Sequence, residues 1–190
     1  MVDIILGLLT PATGRVKVDG VDIETSIRGW QDRIGYVPQS IYLTDDTLRR
    51  NIAFVLHDEK ISENSVLGAV QAAQLEQFVK SLPEGLDTVV GERGVRLSGG
   101  QQQRIGIARS LYHDPSVLVL DEATSSLDTD TEREVMDAVR KLHGKKTILI
   151  VAHRLSTVED CDYLYHLEAG KIIDEGAPNL ILTQCAVNVE

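Results

Sequence analysis

A serine and two glycines stand at the predicted start of a helix, within the stretch Leu97–Arg104. Ser98 and Gln101 have the spacing of a capping box, in which each side chain satisfies a backbone N–H at the start of the helix. Gly99 and Gly100 carry no side chain, so a ligand can approach the backbone closely there. Because the N-terminus of a helix attracts anions, this arrangement is suited to a phosphate. Taken alone, the stretch is more typical of an ordinary helix N-cap.

A pair of carboxylates further along the chain strengthens the phosphate interpretation. Asp121 and Glu122 directly follow the apolar run Val117–Leu120. Four unbroken apolar residues predict a strand that is buried on both faces, and hence central in a parallel sheet. Side chains at the carboxyl end of such a strand lie where open α/β sheets bind their ligands. The glycine-rich helix start and the carboxylate pair together predict a phosphate-binding site.

Hydrophobic periodicity predicts the elements that must position these residues. Helices alternate with strands, which indicates a layered α/β domain with a mainly parallel sheet. The predicted strands are Arg15–Val18, Val21–Ile23, Ile34–Val37, the buried pair Val117–Leu120 and Thr147–Val151, and a hairpin of Tyr163–Leu167 with Lys171–Asp174. Helices are predicted at Val2–Leu9, Thr47–Phe54 and Ser62–Leu82, and a short helix is predicted near Asn179. A further predicted helix, after Ser98, buries Ile105, Ala108, Leu111 and Tyr112. Another, capped by Thr129 and Glu132, buries Val135, Ala138, Val139 and Leu142. Residues 83–96 are predicted to form an irregular loop.

The composition is that of an ordinary globular protein, and it argues against several classes of function. The chain has 190 residues, of which 43% are hydrophobic and 25% charged, and its formal net charge is −10. That charge argues against non-specific binding to nucleic acid or to an anionic membrane surface. Cys161 and Cys185 have neither metal-ligand nor disulfide spacing, so a reducing, cytoplasmic setting is expected. The sequence contains no signal peptide and no apolar run long enough to cross a bilayer.

The order and spacing of these motifs resemble those of ABC-transporter nucleotide-binding (ATPase) domains, from about residue 1 to about residue 178. Leu97–Arg104 (LSGGQQQR) is similar to the ABC signature motif of that family. The stretch VLVLDEATSSLD, which begins at Val117, is similar to the Walker B motif and the D-loop that follows it. Tyr36–Gln39 resembles the glutamine loop, and Val151–Ser156 resembles the segment that carries the switch histidine.

The resemblance implies a P-loop NTPase-like layered fold with a mainly parallel sheet. It also implies a helical signature subdomain at about residues 40–112, within a single nucleotide-binding domain that spans residues 1–190. Val2–Leu9 resembles the helix that follows the Walker A loop, G-x-x-x-x-G-K-[ST], yet no stretch of the sequence fits that pattern. The P-loop and the N-terminal strands are therefore expected to be missing, with the loop lying just before Met1.

The resemblance also implies ATP and Mg²⁺ as cofactors, and it assigns roles to four residues around them. Asp121 would hold Mg²⁺, and Glu122 would act as the general base on the attacking water. Gln39 would contact Mg²⁺ or that water, and His153 would contact the γ-phosphate. Without the resemblance, Glu122 reads as an exposed carboxylate at a strand end, Gln39 as a loop residue and His153 as a structural histidine.

Members of this family dimerise head to tail, with two ATP molecules between the two domains. The resemblance therefore implies that the signature residues contact the γ-phosphate of ATP held by a partner domain. These residues are Ser98, Gly99, Gly100 and Gln101. Asp128 matches the D-loop, which passes between subunits, and its plainer interpretation is the N-terminal region of a helix.

Two further stretches, Val90–Gly94 and Thr47–Ile52, resemble the exporter branch of the family. The expected function is thus the ATPase domain of an exporter-type ABC transporter at the cytoplasmic face of a membrane. Its expected partners are a second nucleotide-binding domain, in a homodimer or a heterodimer, and the coupling helices of a transmembrane domain, with no nucleic acid. Two alternatives are a soluble, non-transport ABC ATPase and a non-catalytic fragment that retains the ABC dimer interface. Without the Walker A lysine, the chain alone is expected to hydrolyse ATP negligibly.

Overall fold

The computed structural model of the chain describes residues 1–91 and 94–187. The chain divides into two compact units, Met1–Val151 and Ala152–Glu190. Within the described residues, the helices are α1 (Val2–Ile5), α2 (Ile27–Gln31), α3 (Leu48–Ile52), α4 (Glu63–Ala72), α5 (Glu76–Ser81), α6 (Gly99–Leu111), α7 (Thr129–Arg140), α8 (Leu155–Val158) and α9 (Pro178–Val187). The strands are β1 (Lys17–Val18), β2 (Val21–Asp22), β3 (Ile34–Val37), β4 (Asp46–Thr47), β5 (Val89–Val90), β6 (Val117–Asp121), β7 (Thr147–Val151), β8 (Leu164–Glu168) and β9 (Lys171–Gly176).

The first unit is built on a parallel sheet of three strands in the order β3-β6-β7. β6 is the central strand, and its first four residues are buried, as the apolar run predicts. Because successive side chains of a strand point to opposite faces, Leu118 and Leu120 join the large hydrophobic cluster on one face. Val117 and Val119 join a smaller cluster around Trp30 on the other face. The predicted α/β architecture with a parallel sheet is confirmed.

Helices α6 and α7 pack against the sheet and against each other, and both bury the faces that their periodicity predicts. On α6 the buried set is Ile105, Ala108, Leu111 and Tyr112. On α7 and just after it, the buried set is Val135, Ala138, Val139 and Leu142. Burying such a stripe contributes roughly 1.5–3 kcal/mol for each large apolar side chain relative to leaving it exposed. The helical spacing of apolar residues thus predicted both packed faces.

The predicted helix Ser62–Leu82 is wrong, because the chain leaves the helical path at Gln74. This residue has a left-handed φ of 55°, so the segment divides into α4 and α5. The N–H of Leu75 donates to the carbonyl of Val70 at 2.9 Å, as in a Schellman motif at a helix end. The break turns Leu75 into the core, where it is fully buried. Tertiary burial therefore overrides a helical pattern that is continuous in the sequence.

The predicted helix Val2–Leu9 is too long, because α1 ends at Ile5. Gly7 adopts a left-handed φ of 69°, and the N–H of Leu8 donates to the carbonyl of Asp3 at 2.8 Å. This is again a Schellman ending, for which glycine is the preferred residue. The side chain of Trp30 donates to the carbonyl of Ile5 at 2.7 Å and so satisfies one of the last helical acceptors.

The predicted cap of α7 is wrong by one residue. Asp128, and not Thr129, is the N-cap, and its Oδ1 accepts the N–H of Thr131 at 3.0 Å. Aspartate is at least as good an N-cap as threonine, and the cap therefore lies one residue before the position that the Thr129–Glu132 spacing indicated. Glu132 is therefore not part of a capping box, and its side chain accepts a hydrogen bond from the hydroxyl of Thr124 at 3.0 Å.

Three other predicted segments differ from the structure in part. β7 has the predicted bounds but is only partly buried, because within the described residues it pairs with β6 alone and so lies at the sheet edge. α3 is shorter than Thr47–Phe54, with Thr47 as its N-cap. The predicted loop 83–96 contains β5, which pairs with β4, while Glu92 and Arg93 of the exporter-like stretch lie outside the described residues.

Both predicted hairpins are formed, but the first has shorter strands than predicted and the second has shifted bounds. β1 and β2 pair across Asp19 and Gly20, which both have positive φ, as the primed two-residue turns require. In the second unit, β8 and β9 pair across Ala169 and Gly170 in the same way, and α9 follows them. Among the described residues, none of the helices combines the length and apolarity that a membrane crossing requires.

Candidate functional site

Three of the predicted site residues lie at the carboxyl-terminal edge of the parallel sheet. Val37 at the end of β3 is in register with Leu120 of β6, so the residues that follow the two strands emerge side by side. Gln39 is the second residue after β3, Asp121 is the last residue of β6, and Glu122 follows it. The side-chain amide of Gln39 donates to the hydroxyl of Ser125, just beyond Glu122, at 3.1 Å. This edge is where parallel α/β sheets bind their ligands.

Asp121 has a partner that the sequence did not single out. The hydroxyl of Tyr36, on the neighbouring strand β3, donates to Oδ2 of Asp121 at 3.1 Å. Partial burial and this hydrogen bond raise the pKa of the Tyr36 phenol above its ordinary value. The only signal in the sequence was the position of Tyr36 near the end of a strand that pairs with β6.

Glu122 stands in a strained backbone conformation. Its φ is 50°, in the left-handed region that residues with a side chain seldom adopt. Its N–H donates to the carbonyl of Val151 at 2.9 Å, and its carbonyl accepts the N–H of Ser125 at 3.0 Å. Such conformations persist where the surroundings over-determine them, and they concentrate at functional sites.

The helix start at Ser98 forms the predicted capping box. The N–H of Gln101 donates to the Ser98 hydroxyl at 3.2 Å, and Oε1 of Gln101 accepts the N–H of Ser98 at 2.9 Å. The box engages neither the N–H of Gly99 nor that of Gly100. Ser98 and Gly99 are exposed, so an anion can reach the start of the thirteen-residue helix α6.

The two glycines also have a packing role that the sequence alone did not reveal. A Cβ on Gly99 would stand 2.9 Å from Cδ2 of Leu127, and one on Gly100 would stand 2.3 Å from Cγ2 of Thr131. Both neighbours belong to the segment that follows the Asp-Glu pair. The absence of side chains therefore lets the start of α6 lie directly against the loop and helix after β6.

Asp128 caps α7 and is exposed. Its Oδ2 accepts the hydroxyl of Thr131 at 2.6 Å, in addition to the bond from the Thr131 N–H. These hydrogen bonds favour the ionised carboxylate and lower the pKa of Asp128. Its plainer interpretation, the N-terminal region of a helix, is thus realised, and its predicted role between subunits stays a prediction.

His153 lies in the second unit, two residues after β7, and it is exposed. Its predicted contact with a γ-phosphate stays a prediction.

Two polar residues of α6 tie that helix to the chain on either side of Gln39. Gln103 is buried, and its amide donates to the carbonyl of Pro38 at 3.3 Å. Arg109 donates to the carbonyl of Asn51 at 2.8 Å and lies 4.3 Å from the ring centroid of Phe54. Burial lowers the pKa of Arg109, and the side chain of Asn51 is fully buried. The sequence offered one signal for both residues, namely a polar side chain on an otherwise buried helix face.

An open cavity of about 380 Å³ lies beside this network, lined by Thr44, Asp46, Arg50, Phe54, Val55, Leu56, His57 and Asp58. An adjoining cavity of about 460 Å³ shares Asp46, Arg50 and Asp58 with it. Arg50 pairs with Asp46 at 3.1 Å and with Asp58, and the pairing lowers the pKa of Asp58. Val55 is 83% exposed at the rim. The surface thus combines exposed apolar side chains with charge pairs.

The described residues contain no group of three or more His, Cys, Asp or Glu side chains that could hold a metal ion by themselves. The donors at the sheet edge are oxygen atoms of carboxylate and amide side chains, which suit a hard cation. Mg²⁺ typically takes one or two carboxylates and completes its coordination with substrate phosphates and water. The donor set at Asp121 and Gln39 therefore fits Mg²⁺ that is bound together with a phosphate ligand.

The sequence profile of the ABC transporter family matches residues 1–125. An ATP-dependent lipid A-core flippase of Burkholderia pseudomallei (strain 1710b) is 42% identical over 185 residues, which cover 97% of this chain and 30% of the flippase. ABC transporter B family member 22 of Arabidopsis thaliana is 43% identical over 185 residues, covering 95% of this chain and 15% of that protein. The chain thus spans less than a third of the length of these relatives.

Among solved structures, a bacterial Atm1-family ABC exporter with ATP bound matches the whole chain with a TM-score of 0.83 and 34% sequence identity. The match covers 34% of the exporter chain. The resemblance to exporter-type nucleotide-binding domains and the predicted P-loop NTPase-like fold are confirmed by these matches.

Proposed function

The chain belongs to the ABC transporter family, and we propose that it is the ATP-binding and ATP-hydrolysing domain of an exporter-type transporter. The observation that carries this proposal is the placement of Gln39, Asp121 and Glu122 at the carboxyl edge of the parallel sheet, where Gln39 bonds to Ser125. The flippase relatives are named as ATP-dependent, and the solved exporter contains ATP. We propose that this domain carries out the ATP hydrolysis of the whole protein.

In this proposal Glu122 is the general base. Its carboxylate takes a proton from the water that attacks the γ-phosphate, an effect typically worth on the order of 10²–10⁴ in rate. Support comes from its backbone, which is strained at φ 50° and fixed by bonds to Val151 and Ser125. A base held in one orientation does not have to be reoriented when the reaction occurs.

Asp121 and Gln39 are the residues that we propose to hold Mg²⁺ together with the phosphates of ATP. When bound, Mg²⁺ neutralises the charge that develops on the transferred phosphoryl group. The hydroxyl of Tyr36 restrains one oxygen of Asp121, which leaves the other oxygen to face the ligand. The bond from the Gln39 amide nitrogen to Ser125 leaves the amide oxygen as a donor for the cation or for water.

The start of α6 is the second half of the proposed site. We assign Ser98, Gly99, Gly100 and Gln101 to the γ-phosphate of ATP that is held by a partner nucleotide-binding domain. The exposed helix N-terminus supports this assignment, because its amides and its dipole favour an anion. We further assign His153 to the γ-phosphate and Asp128 to the contact between the two domains.

The transmembrane partner is proposed to dock beside the glutamine loop, at the cytoplasmic face of a membrane. The two adjoining cavities lined by Arg50, Asp46 and Asp58 offer charge pairs and an exposed apolar rim at Val55. Such a mixed surface suits the coupling helices of a transmembrane domain. Arg109 of α6 contacts this surface through the carbonyl of Asn51 and the ring of Phe54, and we propose that it couples the surface to α6.

The alternative, a non-catalytic fragment that keeps the ABC dimer interface, concerns the 190 residues by themselves. No stretch of them fits G-x-x-x-x-G-K-[ST], the loop that cradles the β- and γ-phosphates in P-loop NTPases. By themselves these residues hold the start of α6 and Glu122 without that set of phosphate contacts.

Mg-ATP binding, measured by calorimetry, separates the two candidates. The 190-residue chain is compared with a version that carries a Walker A loop and its preceding strands ahead of Met1. We expect only the extended version to bind and to hydrolyse ATP, with hydrolysis lost and binding retained in its Glu122→Gln variant. An extended version that binds ATP but shows the same hydrolysis with and without Glu122 would refute the proposed catalytic role.

A further inference from the structure

Thr124 and Glu132 form a buried polar pair next to the proposed general base. Each is only 5% exposed, and the Thr124 hydroxyl donates to Oε1 of Glu132 at 3.0 Å. Thr124 lies in the segment between β6 and α7, two residues after Glu122. Glu132 lies in the first turns of α7, where the helix dipole favours a carboxylate.

Thr124 is shared by two consecutive turns of this segment. The first turn is closed by the bond from the Ser125 N–H to the carbonyl of Glu122, at 3.0 Å. The second is closed by the bond from the Leu127 N–H to the carbonyl of Thr124, also at 3.0 Å. The bond from the Thr124 side chain to Glu132 therefore ties both turns to α7, and the first turn begins at Glu122.

The pair is an energetically costly way to fill this space. A carboxylate that is removed from water loses hydration free energy, which only good hydrogen bonds recover. A pair of apolar side chains of similar volume is often as stable as a buried polar pair or more so. Helix capping does not account for Glu132 either, because Asp128 caps α7. Whatever it contributes to the free energy of unfolding, the bond also orients the segment after Glu122, because Thr124 belongs to that segment.

We propose that Glu132 is a positioning residue for the general base: through the Thr124 hydroxyl, it fixes the turn that holds Glu122 in its left-handed conformation. The inference rests on the proposed function, since it assumes that Glu122 is the base. Without the bond between Thr124 and Glu132, the strained φ of 50° at Glu122 loses one of its restraints. The carboxylate of Glu122 then samples orientations that do not reach the attacking water.

The test uses matched variants in the whole ATPase that carries this chain. Thr124→Val removes the hydroxyl at nearly constant volume, and Thr124→Ser retains it. Glu132→Ala removes the acceptor, and Glu132→Gln retains an amide oxygen in its place. Asp137→Ala, at an exposed position on the same helix, is the control.

We expect kcat to fall roughly tenfold or more in Thr124→Val and Glu132→Ala, because small displacements of a catalytic group are costly. KM for ATP should change little. Thr124→Ser and Glu132→Gln should keep most of the parent rate, as should Asp137→Ala. Binding of Mg-ATP, measured by calorimetry, should be the same in Thr124→Val and Glu132→Ala as in the parent, because the general base acts on the attacking water. A purely structural role would weaken binding together with kcat.

Hydrogen exchange provides a measurement that does not depend on catalysis. In Thr124→Val the amides of Ser125 and Leu127 should exchange faster than in the parent protein, while the amides of β6 should be unchanged. If Glu132→Ala fails to fold in a thermal melt, Thr124→Val and the exchange data decide the question.

The failures of the two proposals are distinguishable. Hydrolysis that persists in Glu122→Gln would refute the proposed general base. Hydrolysis that is lost in Glu122→Gln but unchanged in Thr124→Val and Glu132→Ala would refute the positioning role alone.

Discussion

Gly100 of α6 and Thr131 of α7 approach so closely that a Cβ on Gly100 would stand 2.3 Å from Cγ2 of Thr131. The contact joins the start of the signature helix to the helix that follows the Walker B carboxylates. The same glycine that we assign to a phosphate therefore also allows the two helix N-termini to pack together. Its presence has a structural cause in addition to the proposed role in binding.

We predict that Gly100→Ala lowers the free energy of unfolding by about 1–3 kcal/mol, the usual cost of overpacking a well-packed site. Thr131→Ser removes the clashing methyl but keeps the hydroxyl that bonds to Asp128. The double variant Gly100→Ala, Thr131→Ser should therefore recover most of the loss. Chemical denaturation of the three variants is the measurement.

Gly68 of α4 provides the matched control for this prediction. A Cβ there meets nothing within 4 Å, so Gly68→Ala should stabilise the protein by about 0.5–1 kcal/mol through helix propensity. If alanine at Gly68 and alanine at Gly100 change the free energy of unfolding equally, the contact with Thr131 does not affect stability.

Val55 is predicted to be a site of local backbone strain. It has a φ of 69° although it is β-branched, and its side chain is 83% exposed, so little burial offsets the strain. A left-handed residue with a Cβ costs roughly 1–2 kcal/mol. Val55→Gly should raise the free energy of unfolding by about 1 kcal/mol after the greater entropy of the unfolded glycine is subtracted.

Val55→Ala separates strain from side-chain packing, because alanine keeps the Cβ but loses the rest of the side chain. It should change the denaturation midpoint much less than Val55→Gly does. A similar gain in both variants would mean that the exposed isopropyl group, and not the backbone, is the source of the effect.

The sequence predicted the parts of the fold and the site that depend on neighbouring residues. The apolar run of β6 and the capping box at Ser98 are local patterns, and both were confirmed. The break at Gln74 could not be predicted in this way, because its cause is the burial of Leu75 against distant elements.

Site partners from separate elements were missed for the same reason. Tyr36 and Asp121 are 85 residues apart in sequence, and Arg109 and Asn51 are 58 apart. Only the pairing of β3 with β6 and the packing of α6 against α3 bring them together. The Thr124–Glu132 bond spans just eight residues, yet it was hidden because the predicted Thr129 cap on α7 already gave Glu132 a partner.

The Asp128 cap predicts a pH dependence of stability. The hydrogen bonds from Thr131 lower the folded-state pKa of Asp128 below its unfolded value, which is about 3.9. Its contribution is therefore fully present above the unfolded pKa and is lost as the pH falls through the lower folded-state pKa. Asp128→Asn still caps the helix but does not titrate.

The measurement is the difference in denaturation midpoint between the parent protein and Asp128→Asn, taken at about pH 7 and again near pH 3, on either side of the unfolded pKa. At neutral pH the parent protein should have the higher denaturation midpoint, and this difference in midpoint should shrink in acid. A difference that stays constant or grows on acidification would contradict the assignment of the lowered pKa to Asp128.

The bond between Tyr36 and Asp121 gives the last prediction, which concerns the Walker B carboxylate. Tyr36→Phe removes a hydrogen bond worth about 0.5–1.5 kcal/mol while retaining the ring. Since Asp121 then loses the restraint on one oxygen, we expect the Mg²⁺ concentration for half-maximal ATPase activity of the whole protein to rise roughly twofold to tenfold. Tyr42→Phe, at an exposed ring 74% accessible to solvent, should leave this concentration unchanged.

A spectroscopic titration tests the same bond without catalysis. Because partial burial and Asp121 raise the pKa of the Tyr36 phenol, the tyrosinate absorbance of the parent should include a group that ionises later than an ordinary tyrosine. Tyr36→Phe should remove a late-ionising group, whereas Asp121→Asn should shift that group toward the ordinary pKa, since it removes the negative charge that opposes ionisation. If Asp121→Asn leaves the titration unchanged while Tyr36→Phe alters it, burial alone accounts for the raised pKa, and the Mg²⁺ requirement should then be insensitive to Tyr36→Phe.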